Sequence, residues 1–596
     1  MSTTEEKLHA KIPGEDTGII TRNSFCDVCA PGPHCGVTCY VKDGKIIKVE
    51  GTDGHPTNHG LLCPKGQSNR QYVYRKDRIM TPLRRVGARG EGKFEPITWD
   101  EAYDEIVTRL NKVKQDYGPC SVAFYSGYNK WYRPFLQRLC YDFGSVNYGT
   151  DTSPEGRMVI RELLAATARG LGNGEVPVFP IQIFKVKDGV SYSDADCEKA
   201  LANFPAALAG KTKFSAPNFD LFIEACRTTS TSLFPNFLFL DAPYNVNEKW
   251  SAKDPKRYLY EVATMGCRTR VFENLHGEKS SVGRGNLSFT SMNMPRLAIK
   301  AVHEAEDLLP GADKHAVRRE AKSIFIESVR SMSCMIAEQL RERYLYQRKA
   351  LAMQFPFMMG NDIWKGGGKL APTDEVGDVI DSGTLGIGFI GGHNAMAAIY
   401  GEGHARNKEA WDTLYEAVQT INEVAEMYKR KYKLNYSVLA TPAEGLSGRF
   451  TKMDRRRYGV IRGVNDRDYY VNSFHIDVKE PLSACEKIKL EAPFHAITRG
   501  GHITYVELDG EAKKNVSAIL KIVKCMKDSG IGYGSINHPV DTCRDCGYRG
   551  VIYSKCPACN GENVSRMRRI TGYLTGSLET WNSAKQAEEK DRVKHG

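Results

Sequence analysis

Residues 543–576 read CRDCGYRGVIYSKCPACNGENVSRMRRITGYLTG. Two CxxC knuckles, Cys543 with Cys546 and Cys556 with Cys559, have nine residues between them, Gly547 and Gly550 included. That spacing lets four thiolates close around one tetrahedral ion, the arrangement of a structural zinc ribbon. The alternatives are a redox-active CxxC pair or four unrelated thiols. A closed shell of four thiolates has no open position, so its ion holds the chain rather than catalysing. Immediately beyond, Arg568-Arg569-Ile570-Thr571-Gly572-Tyr573-Leu574 sets a glycine between bulky neighbours. By spacing alone this is a turn glycine with positive φ.

The rest of the chain is the setting for this tail. Its 596 residues suffice for two to four domains. Hydrophobic residues make up 41% and charged residues 26%, with a net charge of +12 that is interspersed rather than blocked. This balance suits anionic small substrates such as nucleotides, and no nucleic-acid-binding motif accompanies it. The first 20 residues have neither a basic n-region followed by an apolar run nor a twin arginine, and are expected to be disordered. No apolar run reaches membrane-spanning length, so no membrane partner is expected. Seventeen cysteines without a secretion signal point to the reducing cytoplasm, where clustered thiols mean metal or redox chemistry.

Near the N-terminus, Cys26, Cys29, Cys35 and, much later, Cys63 make a three-plus-one pattern suited to a [4Fe-4S] cluster, with zinc as the other occupant. Between them TCYVKDGKIIKVEG predicts a hairpin turning at Asp43-Gly44. A helix is expected at 100–116 and a buried strand at 121–127. The CxxCx5C start, VKDGKIIKVEGTDGHPTNHGLLCPKG and PITWDEAYDEI resemble the N-terminal domain of the molybdopterin oxidoreductases, the family of formate dehydrogenases and nitrate reductases. That resemblance implies a [4Fe-4S] domain over 21–80 and the start of a larger α/β region over 81–152. It also implies electron transfer through Lys65. After FGSVNYGTDTS at 143–153 the chain offers no cysteine for molybdenum, so a molybdopterin is not expected.

From residue 153 a second resemblance takes over, the two sharing the string at 147–153. Either a natural fusion or an assembly join produces such a junction. The RxxGY pattern behind a four-cysteine site is similar to the C-terminus of the anaerobic (class III) ribonucleoside-triphosphate reductases. VPVFPIQIFKV, LFPNFLFLDAP (233–243) and TLGIGFIGG (384–392) read as buried strands, and 313–353 and 408–432 as long helices. Their alternation predicts an α/β barrel over 153–540 with parallel strands. The resemblance implies the ten-stranded barrel of glycyl radical enzymes, here incomplete, with the zinc ribbon and radical tail at 541–596 and the small β-rich iron–sulfur domain in front. Polar stretches 465–475 and 531–539 are expected to be barrel-end loops.

Within the barrel, Met265-Gly266-Cys267-Arg268-Thr269-Arg270 holds a cysteine that spacing alone makes a small core hydrophobe. The resemblance makes Cys267 the residue that becomes a thiyl radical and Gly572 the store of a glycyl radical, its Cα radical planar and delocalised between two amides. Asn286 could bond ribose hydroxyls, and Arg284 with the glycine-rich LATPAEGLSGRF (439–450) could supply cation and N–H groups to a triphosphate. The implied activity is reduction of ribonucleoside triphosphates to deoxyribonucleoside triphosphates. Implied partners are a radical S-adenosylmethionine activase, a second copy of the chain, and formate or a thioredoxin-like protein as reductant. The alternatives are a formate dehydrogenase-like molybdopterin oxidoreductase and an inactive iron–sulfur electron-transfer fusion.

Overall fold

The computed structural model describes the chain outside residues 1–11, 27–34, 57, 89, 123, 125–138, 140–141, 145–153, 170–180, 255, 266–267, 509, 511, 571–572, 576–577, 579–580, 594 and 596. Cys29, Cys267, Gly572, the junction string from 147 and most of the strand expected at 121–127 therefore lie outside the described residues, as does the side chain of Lys65. The chain divides into two units, Met1–Val159 and Ile160–Gly596. No helix among the described residues is long and apolar enough to cross a membrane.

In the first unit, strands β1 (Ile20–Phe25), β2 (Gly36–Lys42) and β3 (Lys45–Gly51) form an antiparallel sheet. The β2–β3 hairpin turns at Asp43 (φ +51°) and Gly44 (φ +72°), as its Asp-Gly pair requires. A two-stranded ribbon follows, β4 (Leu83–Arg85) with β5 (Phe94–Pro96). Helix α1 (Trp99–Tyr117) starts at a reciprocal cap: Thr98 N donates to Glu101 Oε2 (2.8 Å) and Glu101 N to Thr98 Oγ1 (3.2 Å).

Helix α2 (Pro154–Arg169) leads into the larger unit, whose strands are β6 (Ile183–Val186), β7 (Asn236–Phe239) after helix α3 (Phe219–Thr231), and the ribbon β8 (Ala263–Met265) and β9 (Thr269–Val271). Next come β10 (Asn286–Asn293), helices α4 (Met294–Leu308) and α5 (Lys314–Arg348), β11 (Thr384–Ile390), α6 (Gly392–Tyr400), α7 (Lys408–Tyr432), β12 (Asn435–Ala440) and α8 (Leu446–Tyr458). β10, β11 and β12 are parallel, each followed by a helix. β11 is buried along its whole length, which its continuous apolar run permits. α5 lays Ala321, Phe325, Val329, Ile336, Leu340 and Tyr344 into the core beneath this sheet at helical spacing.

Helix α9 (Ala484–Ile497), β13 (Thr504–Glu507), helix α10 (Val516–Asp528) and β14 (Tyr533–Asn537) complete a second sheet, ordered β13-β14-β7-β6. β13 is parallel to β14 and β6 to β7, while β14 and β7 run antiparallel. Gly501 joins the two sheets by bridging to Leu439 of β12 and to Thr269 of β9. Its φ of +149° and the carbonyl of Arg268, 2.6 Å from where a Cβ would stand, exclude any side chain. The described strands thus form two sheets, β10-β11-β12 and β13-β14-β7-β6, linked at Gly501 three residues before β13, in the alternation of strand and helix of an incomplete α/β barrel.

One expectation is corrected. Residues 531–539 are not a loop, because their centre is β14, buried at all five positions. Polar Ser535 and Asn537 are tolerated there because Arg569 donates to Ser535 Oγ (3.0 Å) and Asn537 donates to Glu507 (2.9 Å).

The tail forms its own antiparallel sheet, β16 (Arg549–Gly550), β15 (Val540–Cys543), β17 (Val564–Ile570) and β18 (Tyr573–Thr575), followed by helix α11 (Ser583–Asp591). α11 is anchored by a buried ionic chain. Lys585 meets Glu588 at 2.6 Å, Glu588 meets Arg592 at 2.8 Å, and Arg592 reaches Glu507 of β13.

Candidate functional site

At the end of β15 the four cysteines converge. Cys543 Sγ lies 3.5 Å from Cys559 Sγ and Cys546 Sγ 3.6 Å from Cys556 Sγ, and all four sulfurs fall within 4.8 Å of one another. Sulfurs at about 2.3 Å from a tetrahedral zinc are about 3.8 Å apart, so the group fits that ion. Each knuckle is closed by backbone bonds, Gly547 N to Cys543 O (2.9 Å) and Asn560 N to Cys556 O (2.8 Å). Ile552 packs with Cys543 and Cys556 in a small buried cluster. The Gly561 N–H favours the Cys559 thiolate, yet the Cys546 and Cys543 thiols push Cys559 up to about 12. A cation between the four sulfurs would favour their thiolate forms.

Arg549, between the knuckles, donates to Ala168 O (3.1 Å) and Arg169 O (3.0 Å) at the C-terminus of α2 and to Thr231 O (3.4 Å) at that of α3. It satisfies carbonyls that a helix end leaves open and places positive charge where the helix dipole favours it.

The strands on either side of residues 266–267 pair with each other, Met265 with Thr269 and Ala263 with Val271. Arg270 fixes their base. Its guanidinium donates to Asn245 Oδ1 (3.0 Å), Tyr244 O (2.6 Å), Arg499 O (3.0 Å) and the Glu273 carboxylate. Arg268, fully buried, donates to Ala440 O (3.2 Å) at the end of β12. The strands on either side of residues 571–572 also pair, Ile570 with Tyr573. Arg569 on β17 is buried and donates to Asn236 Oδ1 of β7 (2.7 Å) as well as to Ser535 of β14. Both arginines meet at one ring: Arg268 Cζ is 5.8 Å and Arg569 Cζ 5.4 Å from the centroid of Tyr505 on β13.

Around them lies a buried polar layer. Glu491 accepts from Thr504 Oγ1 (2.9 Å) and Ile476 N (3.1 Å) and lies 3.2 Å from His475 Nδ1. The His495 and His502 rings stand 4.2 Å apart. Burial, with the Arg270 charge, lowers His502 to about 3, so it is neutral.

Arg284 turns three of its bonds inward, to Ser382 O (2.8 Å), Phe272 O (2.9 Å) and Ser280 O (3.2 Å), leaving Nη2 buried without a partner. Burial lowers it to about 10. Asn286, opening β10, donates to Thr384 Oγ1 (2.9 Å). In the N-terminal unit Cys26 N donates to Cys35 O (2.8 Å), Asn69 Nδ2 lies 3.2 Å from Cys26 Sγ, and Cys63 immediately precedes a short helix, Pro64–Gln67. Among the described residues, Cys543, Cys546, Cys556 and Cys559 are the one group whose ligand atoms are gathered. Tyr505 and Asp541 escaped the sequence reading, since each draws its meaning from partners elsewhere in the chain.

The model of the anaerobic ribonucleoside-triphosphate reductase family matches residues 141–595. The chain belongs to this family. Two further models match, the molybdopterin oxidoreductase Fe4S4 domain over 21–75 and molybdopterin oxidoreductase over 78–156, the latter overlapping the start of the reductase match. The anaerobic ribonucleoside-triphosphate reductase of Escherichia coli is 29% identical over 472 residues, 76% of this chain and 58% of that protein. The chain thus spans just over half the length of this curated reductase. A probable oxidoreductase of Bacillus subtilis, YoaE, is 40% identical over 105 residues, 18% of this chain and 15% of its own. A solved anaerobic ribonucleotide reductase aligns with a TM-score of 0.47 at 15% identity, covering 81% of this chain and 62% of that one.

Proposed function

We propose that the chain reduces ribonucleoside triphosphates to deoxyribonucleoside triphosphates by radical chemistry between Gly572 and Cys267. The observation that carries this reading is the shared ring of Tyr505. Arg268, next to Cys267, and Arg569, three residues before Gly572, both pack on it. The chain segments bearing the two reactive residues are thereby tied to one point on the barrel wall.

In this reading a separate activase, using S-adenosylmethionine, removes a hydrogen atom from Gly572 Cα. The glycyl radical takes the hydrogen of the Cys267 thiol, and the thiyl radical abstracts the ribose 3′ hydrogen. Loss of the 2′ hydroxyl as water follows. Formate, going to carbon dioxide, or a thioredoxin-like dithiol, going to disulfide, supplies two electrons, with one proton to the departing water and one to C2′. Cys267 returns its hydrogen to C3′, and the thiyl so left retakes a hydrogen atom from Gly572. Asn286 and Arg284, whose Nη2 remains to donate, are the substrate-side candidates. Zinc held by Cys543, Cys546, Cys556 and Cys559 would supply rigidity to the tail. A [4Fe-4S] cluster held by Cys26, Cys29, Cys35 and Cys63 would supply one-electron transfer, with Lys65 as the electron-transfer residue that the molybdopterin oxidoreductase resemblance implies. The working unit is a homodimer in the cytoplasm.

Electron paramagnetic resonance tests this. The anaerobic chain, given a family activase, S-adenosylmethionine and reductant, should develop a glycine-centred doublet that is absent in Gly572→Ala, and should then turn over nucleotide. A reduced-cluster signal with no doublet would instead identify an electron-carrying fusion.

A further inference from the structure

The buried carboxylate of Asp541 bonds two parts of the tail, the loop between the knuckles and strand β17, which Arg566 on the exposed side also links by donating to Tyr553 O (2.9 Å). Asp541 is fully buried on β15, two residues before Cys543. One oxygen, Oδ2, accepts the backbone N–H of Ile552 at 2.9 Å. Ile552 lies in the loop joining the two knuckles and packs on Cys543 and Cys556. The other oxygen, Oδ1, accepts Nη1 of Arg568 at 2.5 Å, and Arg568 Nη2 reaches Oδ2 at 3.4 Å. Arg568 is on β17, four residues before Gly572, and its Nε also faces Glu589 of α11 at 3.7 Å. Asp541 therefore touches the packing of the metal loop on one side and the strand entering residue 572 on the other.

A buried carboxylate is stable only while its partners stay in place, because an unpaired charge in the interior is strongly disfavoured. The two partners are consequently not independent. If the cysteine loop loosens, Ile552 N–H leaves Oδ2 and the ion pair with Arg568 loses the geometry that fixes it. If the pair is broken, the carboxylate that accepts the Ile552 N–H is left buried without its countercharge. Groups just outside a metal's ligands orient those ligands in this way.

We propose that Asp541 is a positioning residue that makes the order of the β17–β18 hairpin depend on the occupied four-cysteine site. Its importance for the radical rests on the function proposed above, but the coupling itself does not.

The test uses the full-length chain, zinc-loaded and stripped, with amide hydrogen exchange read by mass spectrometry over residues 568–575 and metal content measured in parallel. Stripping zinc from the parent should speed exchange there by about tenfold or more. Asp541→Asn and, independently, Arg568→Gln should give that faster exchange while still binding one zinc, and the double variant should be no faster than either single one. Arg568 is partly exposed, so Arg568→Gln remains informative if Asp541→Asn fails to fold. Asp541→Glu should recover part of the protection. Slow exchange in zinc-loaded Arg568→Gln overturns the proposal, and so does a hairpin in the parent that is indifferent to zinc. If the exchange pattern holds but no variant, parent included, gives a glycine radical, the reductase reading falls and the coupling stands.

Discussion

Arg268 and Arg569 face the same phenol ring. Their guanidinium carbons lie 5.8 and 5.4 Å from the centroid of Tyr505, while their nitrogens bond to β12 in one case and to β7 and β14 in the other. A buried cation over an aromatic face contributes up to about 2 kcal/mol, so the ring is a structural meeting point for the two hairpins.

Tyr505→Phe should therefore be mild and Tyr505→Leu severe. With the ring kept, both arginine contacts survive. With leucine, stability should fall by about 3 kcal/mol, and the glycine radical yield should drop while zinc remains bound. Thermal melting and radical counting on the two variants check this. Equal radical yields in both would detach Tyr505 from the function.

Removing one thiolate should dismantle the metal site. Cys546→Ser leaves three sulfurs and should bring zinc from one equivalent per chain to near none at micromolar free metal, since the closed shell needs all four ligands. The cleaner contrast is Gly572→Ala, which lies beyond the cysteines: it should keep full zinc and lose the radical. Metal analysis with electron paramagnetic resonance on both variants decides, and zinc loss in Gly572→Ala would mean that the tail is a single folding unit.

Acid should weaken the protein through its histidines. Burial, helped by neighbouring charge from His393 and Arg270 respectively, lowers His404 and His502 to about 3. The unfolded chain protonates them near pH 6.5, so between about 6.5 and 3 the unfolded state binds more protons. The stability from keeping them neutral is complete above that window and is lost as pH falls through it. From pH 6.5 to 5 the loss should be about 2 kcal/mol for each histidine. Denaturant titration at the two pH values measures it, and His404→Gln should flatten the dependence by its share.

What the sequence announces and what it hides divide along local and distant causes. The four-cysteine knuckles, the Asp43-Gly44 turn and the apolar run of β11 are all written within a few neighbouring residues, and each appears where the sequence places it. β14 reads as a loop because Ser535 and Asn537 look like surface residues until Arg569 and Glu507 arrive from other strands to bond them. Tyr505 reads as an ordinary strand aromatic, since its two cationic partners come from β17 and from beside β9. Asp541 likewise looks like a polar residue ahead of a cysteine until Arg568 and Ile552 close on it.

The anchoring of α11 bears on what a broken chain would do. Lys585, Glu588 and Arg592 are buried against Glu507, Tyr469 bonds Asp591 at 2.9 Å, and β18 is laced to β17. None of these attachments runs through the peptide bonds at residues 571–572. A backbone cut there would leave the last two dozen or so residues seated in the barrel, so the protein would run as two pieces on a denaturing gel and travel as one particle in native buffer.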